Sequence, residues 1–102
     1  MQKLELPPQG LNTLFGVQDQ NIKYLETLLD VSIGARGNEL LIDGDERDIK
    51  TVEQILRDFT ELFDEGSTFT DKELRDAFKQ IAEDRAYSLK DLTESDGFAI
   101  GF

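Results

Sequence analysis

Two short alternating runs, VSIGAR at 31–36 and ELLIDG at 39–44, meet at Gly37-Asn38. No other stretch constrains the fold as tightly. A glycine-asparagine step tolerates the positive φ of a tight hairpin, so the two runs must pair as antiparallel strands. Val31, Ile33 and Ala35 then share one face of the first strand, and Leu40 and Ile42 share one face of the second. A two-stranded ribbon is marginal alone and has an apolar face to cover. The flanking segments have to supply that cover.

They do so with helical periodicity. Before the hairpin, KLELP puts Leu4 and Leu6 on one face of a short strand at or near an edge, which Pro7-Pro8 ends. LNTLFG follows as one or two helical turns with Leu11, Leu14 and Phe15 inward, closed by Gly16. A second helix runs from about Asp19 to Asp30, with Ile22, Leu25, Leu28 and Leu29 on its buried side. After the hairpin, a helix starting near Asp45 carries a wide stripe from Ile49 to Phe63 and ends before Gly66. The last helix has the clearest start signal: Thr70 and Glu73 form a capping box, and Phe69 and Leu74 are placed for a hydrophobic staple. Beyond Asp84 the pattern weakens, and SLKDLTESD reads as linker or a frayed short helix.

The order is therefore β-α-α-β-β-α plus one extra C-terminal helix. It predicts an α+β layer, a three-stranded antiparallel sheet with helices on one face. The first strand adds to the open edge of the hairpin. Residues 1–66 form the core unit, 67–86 a helix packed on it, and 87–102 a linker or tail.

Charge narrows the function. The 102 residues hold 22 acids and 11 bases, for a net charge of −11. Residues 1–43 carry six acids and three bases, net −3, and residues 44–102 carry sixteen and eight, net −8. Sequence-independent grip on DNA or RNA needs Lys and Arg to displace counterions, and this balance opposes it. With no His and no Cys, there is no disulfide framework, no thiolate and no imidazole base. The acids fall on helical faces with bases interleaved, as in Asp45, Glu46, Arg47 and Asp48, which a solvated face explains. DGDERD lacks the twelve-residue ligand pattern of a calcium loop. No metal or cofactor is expected in this chain, nor enzymatic activity of its own. The composition fits a reducing cytoplasm, and no run is apolar enough for a signal peptide or a membrane span.

Two resemblances follow from these residues. The element order, with Gly16-Val17-Gln18-Asp19 between two helices and Ile22 three positions on, resembles a type I KH domain across roughly residues 3–65. It departs from that family at Asp19, which stands where the second glycine of a G-x-x-G loop would be, and at Val17 and Gln18, where neither residue is basic. More specifically, LFGVQDQNIKYLE, RGNELLIDG and the Gly66–Leu74 stretch are similar to the N-terminal region of PhoH-like proteins over about residues 4–96. That resemblance implies a KH-like accessory domain beside a P-loop ATPase domain with a role in RNA metabolism. ATP and Mg would belong to that other domain, since no G-x-x-x-x-G-K-[ST] motif occurs in this chain. The final GFAIGF departs from the family pattern.

The resemblance directs attention to Gly16, Val17, Gln18 and Asp19 of the loop, with Asn21 and Lys23 after it. Arg36 and Asn38 at the hairpin mouth complete the candidate contacts. The first amides of a helix carry positive partial charge, and a G-x-x-G loop uses them to approach the sugar-phosphate backbone. Asp19 is expected to accept from those amides as an N-cap. An aspartate and a phosphate about 5 Å apart repel by roughly 1–3 kcal/mol, so the loop's grip on RNA should be weak. Asn21 either donates to a phosphate or stabilises the first helical turn, Lys23 lies on an exposed helix face, and Arg36 is a turn charge beside Glu39. Phe59, Phe63, Phe69 and Phe78 are expected in the core. Partners are then the ATPase domain and other proteins, with single-stranded RNA as a weak partner.

Overall fold

A computed structural model of the chain describes residues 2–8 and 10–94; GFAIGF lies outside the described residues. Strand β1 (Gln2–Glu5) leads through the paired prolines to helix α1 (Leu11–Phe15), a 3-10 turn (Val17–Asp19) and helix α2 (Gln20–Leu29). The hairpin of β2 (Ser32–Arg36) and β3 (Glu39–Asp43) comes next, then α3 (Glu46–Asp64), α4 (Asp71–Glu83) and α5 (Leu89–Glu94).

The hairpin closes in the expected register, Arg36 opposite Glu39, with Gly37 at φ 63°. β1 adds antiparallel to β3, so the sheet order is β1-β3-β2 and β3 is central. Asn38 locks this arrangement. Its carbonyl accepts from Leu6 N–H at 3.0 Å and its side-chain Nδ2 donates to Leu6 O at 3.1 Å. The turn that joins two strands thus also fastens the third.

One face of the sheet enters the core through Leu4, Leu40 and Ile42. The opposite rows, Lys3-Leu41-Gly34 and Glu5-Glu39-Arg36, face outward. The helices cover the apolar face only, as the alternation of period two requires. Within that core, α3 buries Ile49, Val52, Ile55, Leu56, Phe59 and Leu62 along one stripe. Phe59 is flanked by Phe63 and Phe69, with ring centroids 5.8 and 5.4 Å away.

α4 begins as its sequence dictates. Thr70 Oγ1 accepts from Glu73 N–H at 3.1 Å, and Glu73 Oε1 accepts from Thr70 N–H at 2.9 Å. The segment after Asp84 is more than linker. Leu89 and Leu92 of α5 are buried in the same core, spaced i, i+3 so that one short face reaches it. The tail predicted from 87 therefore starts with an anchored helix. Among the described residues, no helix is long and apolar enough to cross a membrane.

Candidate functional site

The α1–α2 loop is built by backbone first. Gly16 takes φ 78° and ψ −179°, a region open essentially to glycine alone. Gln18 (φ 54°) and Asp19 (φ 59°) follow in the left-handed region, and Asp19 N–H donates to Gly16 O at 3.2 Å within the 3-10 turn. This overturns the expected role of Asp19. An N-capping side chain requires extended φ/ψ at its residue. Asp19 is left-handed, and its carboxylate makes no cap hydrogen bond to α2. Aspartate tolerates that conformation better than most residues, which explains its fitness at a position where glycine would be unstrained. Val17 is 66% exposed at the crest of the loop, and Gln18 and Asp19 are exposed beside it.

Asn21 is corrected too. It is 0% exposed, so it can present nothing to a phosphate. Its Nδ2 donates to Thr13 O at 3.3 Å and to Asp71 Oδ1 at 3.1 Å, tying α2 to α1 and to the start of α4. The opposite assignment of the amide would set its oxygen against that carbonyl and carboxylate, so the nitrogen belongs there. Its Oδ1 is buried without a partner. A Cβ on Gly16 would stand 2.6 Å from Asn21 Nδ2, so the glycine is required by packing as well as by φ. Loop shape and helix packing are one construction here, centred on a buried amide.

Lys23 is exposed as expected, in a shallow groove between α2 and α4 that it lines with Gln20, Tyr24, Thr27 and Arg75. Sequence reasoning missed Arg75, because nothing local joins it to Lys23. Glu26, on the same helix, turns the other way: its Oε2 accepts from Ile33 N–H at 2.7 Å on the outer edge of β2. That bond fixes α2 alongside β2 with the chain reversed between them. From it, Gln20 lies about 9 Å along the helix and Arg36 about 10 Å along the strand. The loop and the hairpin mouth therefore share one end of the molecule. Arg36 is exposed there, whereas Asn38 is committed to Leu6.

One acid breaks the expectation of a solvated face. Asp58 is 3% exposed in the middle of α3. Burial pushes its carboxyl up from the ordinary value of 3.8, offset in part by the hydrogen bond from Gln54 and the charge of Lys90. Lys90 on α5 bonds Glu61, which holds its ammonium charged. No protein-family model matches the chain, and no curated protein matches it.

Proposed function

We propose that this domain is a KH-like accessory module of a PhoH-like, ATP-binding protein linked to RNA metabolism, working through protein contacts with a weakened grip on single-stranded RNA. The observation that carries this reading is the outer surface of the α1–α2 loop. It offers an exposed apolar Val17 and a free carboxylate at Asp19, and no base lies between Gly16 and Ile22. A phosphate approaching there meets repulsion of roughly 1–3 kcal/mol at about 5 Å, on a chain of net charge −11. An apolar crest with one acid suits a protein surface better.

A second reading has its own observation. Because the Asp19 carboxylate does not occupy the start of α2, it leaves that end of the helix open, and Lys23 and Arg75 lie on the neighbouring groove. That arrangement favours a functional single-stranded RNA site that uses the loop and the hairpin mouth.

Fluorescence anisotropy with a short single-stranded RNA separates the two, measured at low and physiological salt. The accessory reading expects no micromolar binding at physiological salt, and a gain in affinity for Asp19→Asn, which keeps the loop backbone and removes the charge. Micromolar binding by the unmodified chain would overturn it. The coding sequence beyond this segment tests the family part, where a G-x-x-x-x-G-K-[ST] motif is expected.

A further inference from the structure

Asp58 lines a half-open hollow of about 190 Å³ bounded by α3, the end of α4 and the turn into α5. Its floor is apolar, made by Ile55, Ile81 and Leu89, while Thr51, Gln54 and Tyr87 add polar groups around the mouth. That is room for the end of one short organic chain.

The carboxylate is half used. Oδ1 accepts from Gln54 Nε2 at 2.8 Å, whereas Oδ2 accepts no hydrogen bond among the described residues. Oδ2 is not sealed off either, since the one buried unpartnered side-chain atom among those residues is Asn21 Oδ1. An oxygen on a buried residue that is open yet unbonded faces the hollow that the residue lines.

The charges around it decide the ligand. Three cations lie near, and each is matched by its own carboxylate: Lys50 by Glu46, Arg85 by Asp48 at 2.9 Å, and Lys90 by Glu61. Arg85 also bonds Thr51 Oγ1 and the carbonyl of Ala82, which fixes its guanidinium. Among the described residues Asp58 makes no ion pair of its own: the charge of Lys90 reaches it only from the bond to Glu61, and Asp91 and Glu61 add negative charge around it. Tyr87, 48% exposed, stands at the rim with a ring face suited to a cation.

We propose that this hollow binds a primary alkylammonium group, its nitrogen on Asp58 Oδ2 and its short apolar stem along the exposed ring of Tyr87. The chemistry is shared by a small free amine and by a lysine side chain of a partner protein. The proposal goes beyond the reading of the loop and does not depend on it.

The test is a titration of the isotope-labelled chain followed by amide chemical shifts, with n-butylammonium, 1-butanol and a backbone-blocked lysine as probes. Saturable shifts confined to Thr51, Asp58, Tyr87 and Leu89 are expected with n-butylammonium, and none with the neutral alcohol. Blocked lysine matching n-butylammonium would assign the site to a partner's side chain, and binding of n-butylammonium alone would assign it to a free amine. Asp58→Asn should weaken binding about tenfold or more, the scale of a hydrogen bond between charged groups, and Tyr87→Leu should weaken it severalfold. The alcohol comparison needs no variant, so the proposal stays exposed to failure even if Asp58→Asn does not fold. Equal shifts with 1-butanol, no shifts at all, or shifts spread over the whole acidic surface that vanish with added salt would each overturn it.

Discussion

Two helix starts in this chain carry residues of the same class and behave in opposite ways. At α4, Thr70 is extended (φ −84°, ψ 162°) and its hydroxyl caps the helix. At α2, Asp19 is left-handed (φ 59°, ψ 23°) and its carboxylate caps nothing. Both residues are good N-caps by composition. The difference lies in what precedes them. Thr70 follows an open segment that lets φ and ψ adopt the capping region, whereas Asp19 closes a 3-10 turn that has already set its backbone. A side chain can satisfy a helix end only if the chain enters it from the right direction. The α2 end is held by other means, through Asn21 buried behind it.

The comparison is open to attack by substitution. The largest effect is expected at Gly16→Ala, which places a methyl group against Asn21 in a backbone region closed to alanine. A stability loss of about 2–4 kcal/mol follows, measurable by urea denaturation. A loss under half of that would mean that Asn21 shifts freely and does not fix the loop. Next comes Thr70→Ala, expected to cost about 1 kcal/mol and to lower protection of the Glu73 amide against hydrogen exchange. Asp19→Gly is the counterpart and carries the opposite sign. Relief of the left-handed residue should stabilise the chain by about 0.5–1 kcal/mol, and any clear destabilisation would show that Asp19 caps α2 in solution.

The smallest effect, at a helix middle, shows what burial does to an acid with no helix end to serve. Asp58 holds its proton more tightly when folded, so the folded state binds more protons between 3.8 and its raised folded value. Its contribution to stability therefore falls as pH rises through that window. Asp58→Asn should flatten the pH dependence of unfolding there and be no less stable at neutral pH.

These contrasts also show which features could be read from the sequence. The hairpin, the stripe of α3 and the capping box of α4 are local patterns, with period two, period 3.6 or a fixed spacing of three, and the structure keeps each of them. The α1–α2 loop was located correctly, yet the role of Asp19 was not, because residue type names a preferred cap and says nothing about φ. For Asn21 a structural role was one of two readings, but its burial and its bond to Asp71, 50 residues away, could not be read. Asp58 fell under the general expectation that helical acids face solvent, and its burial depends on long-range packing around α3, including α5, that no local pattern declares. α5 itself was too short for periodicity to declare it, although Leu89 and Leu92 were the signal.

The carboxylate of Glu26 on the Ile33 amide has a consequence for how copies of this chain treat one another. A strand at the border of a sheet invites a stranger to continue its ladder, and the first rung on offer would be that amide. Here the rung is already taken, by a group whose charge would also repel its twin on an approaching molecule. Shortening Glu26 to alanine should therefore turn a self-sufficient border into a template, and the chain should begin to lose solubility as its concentration rises.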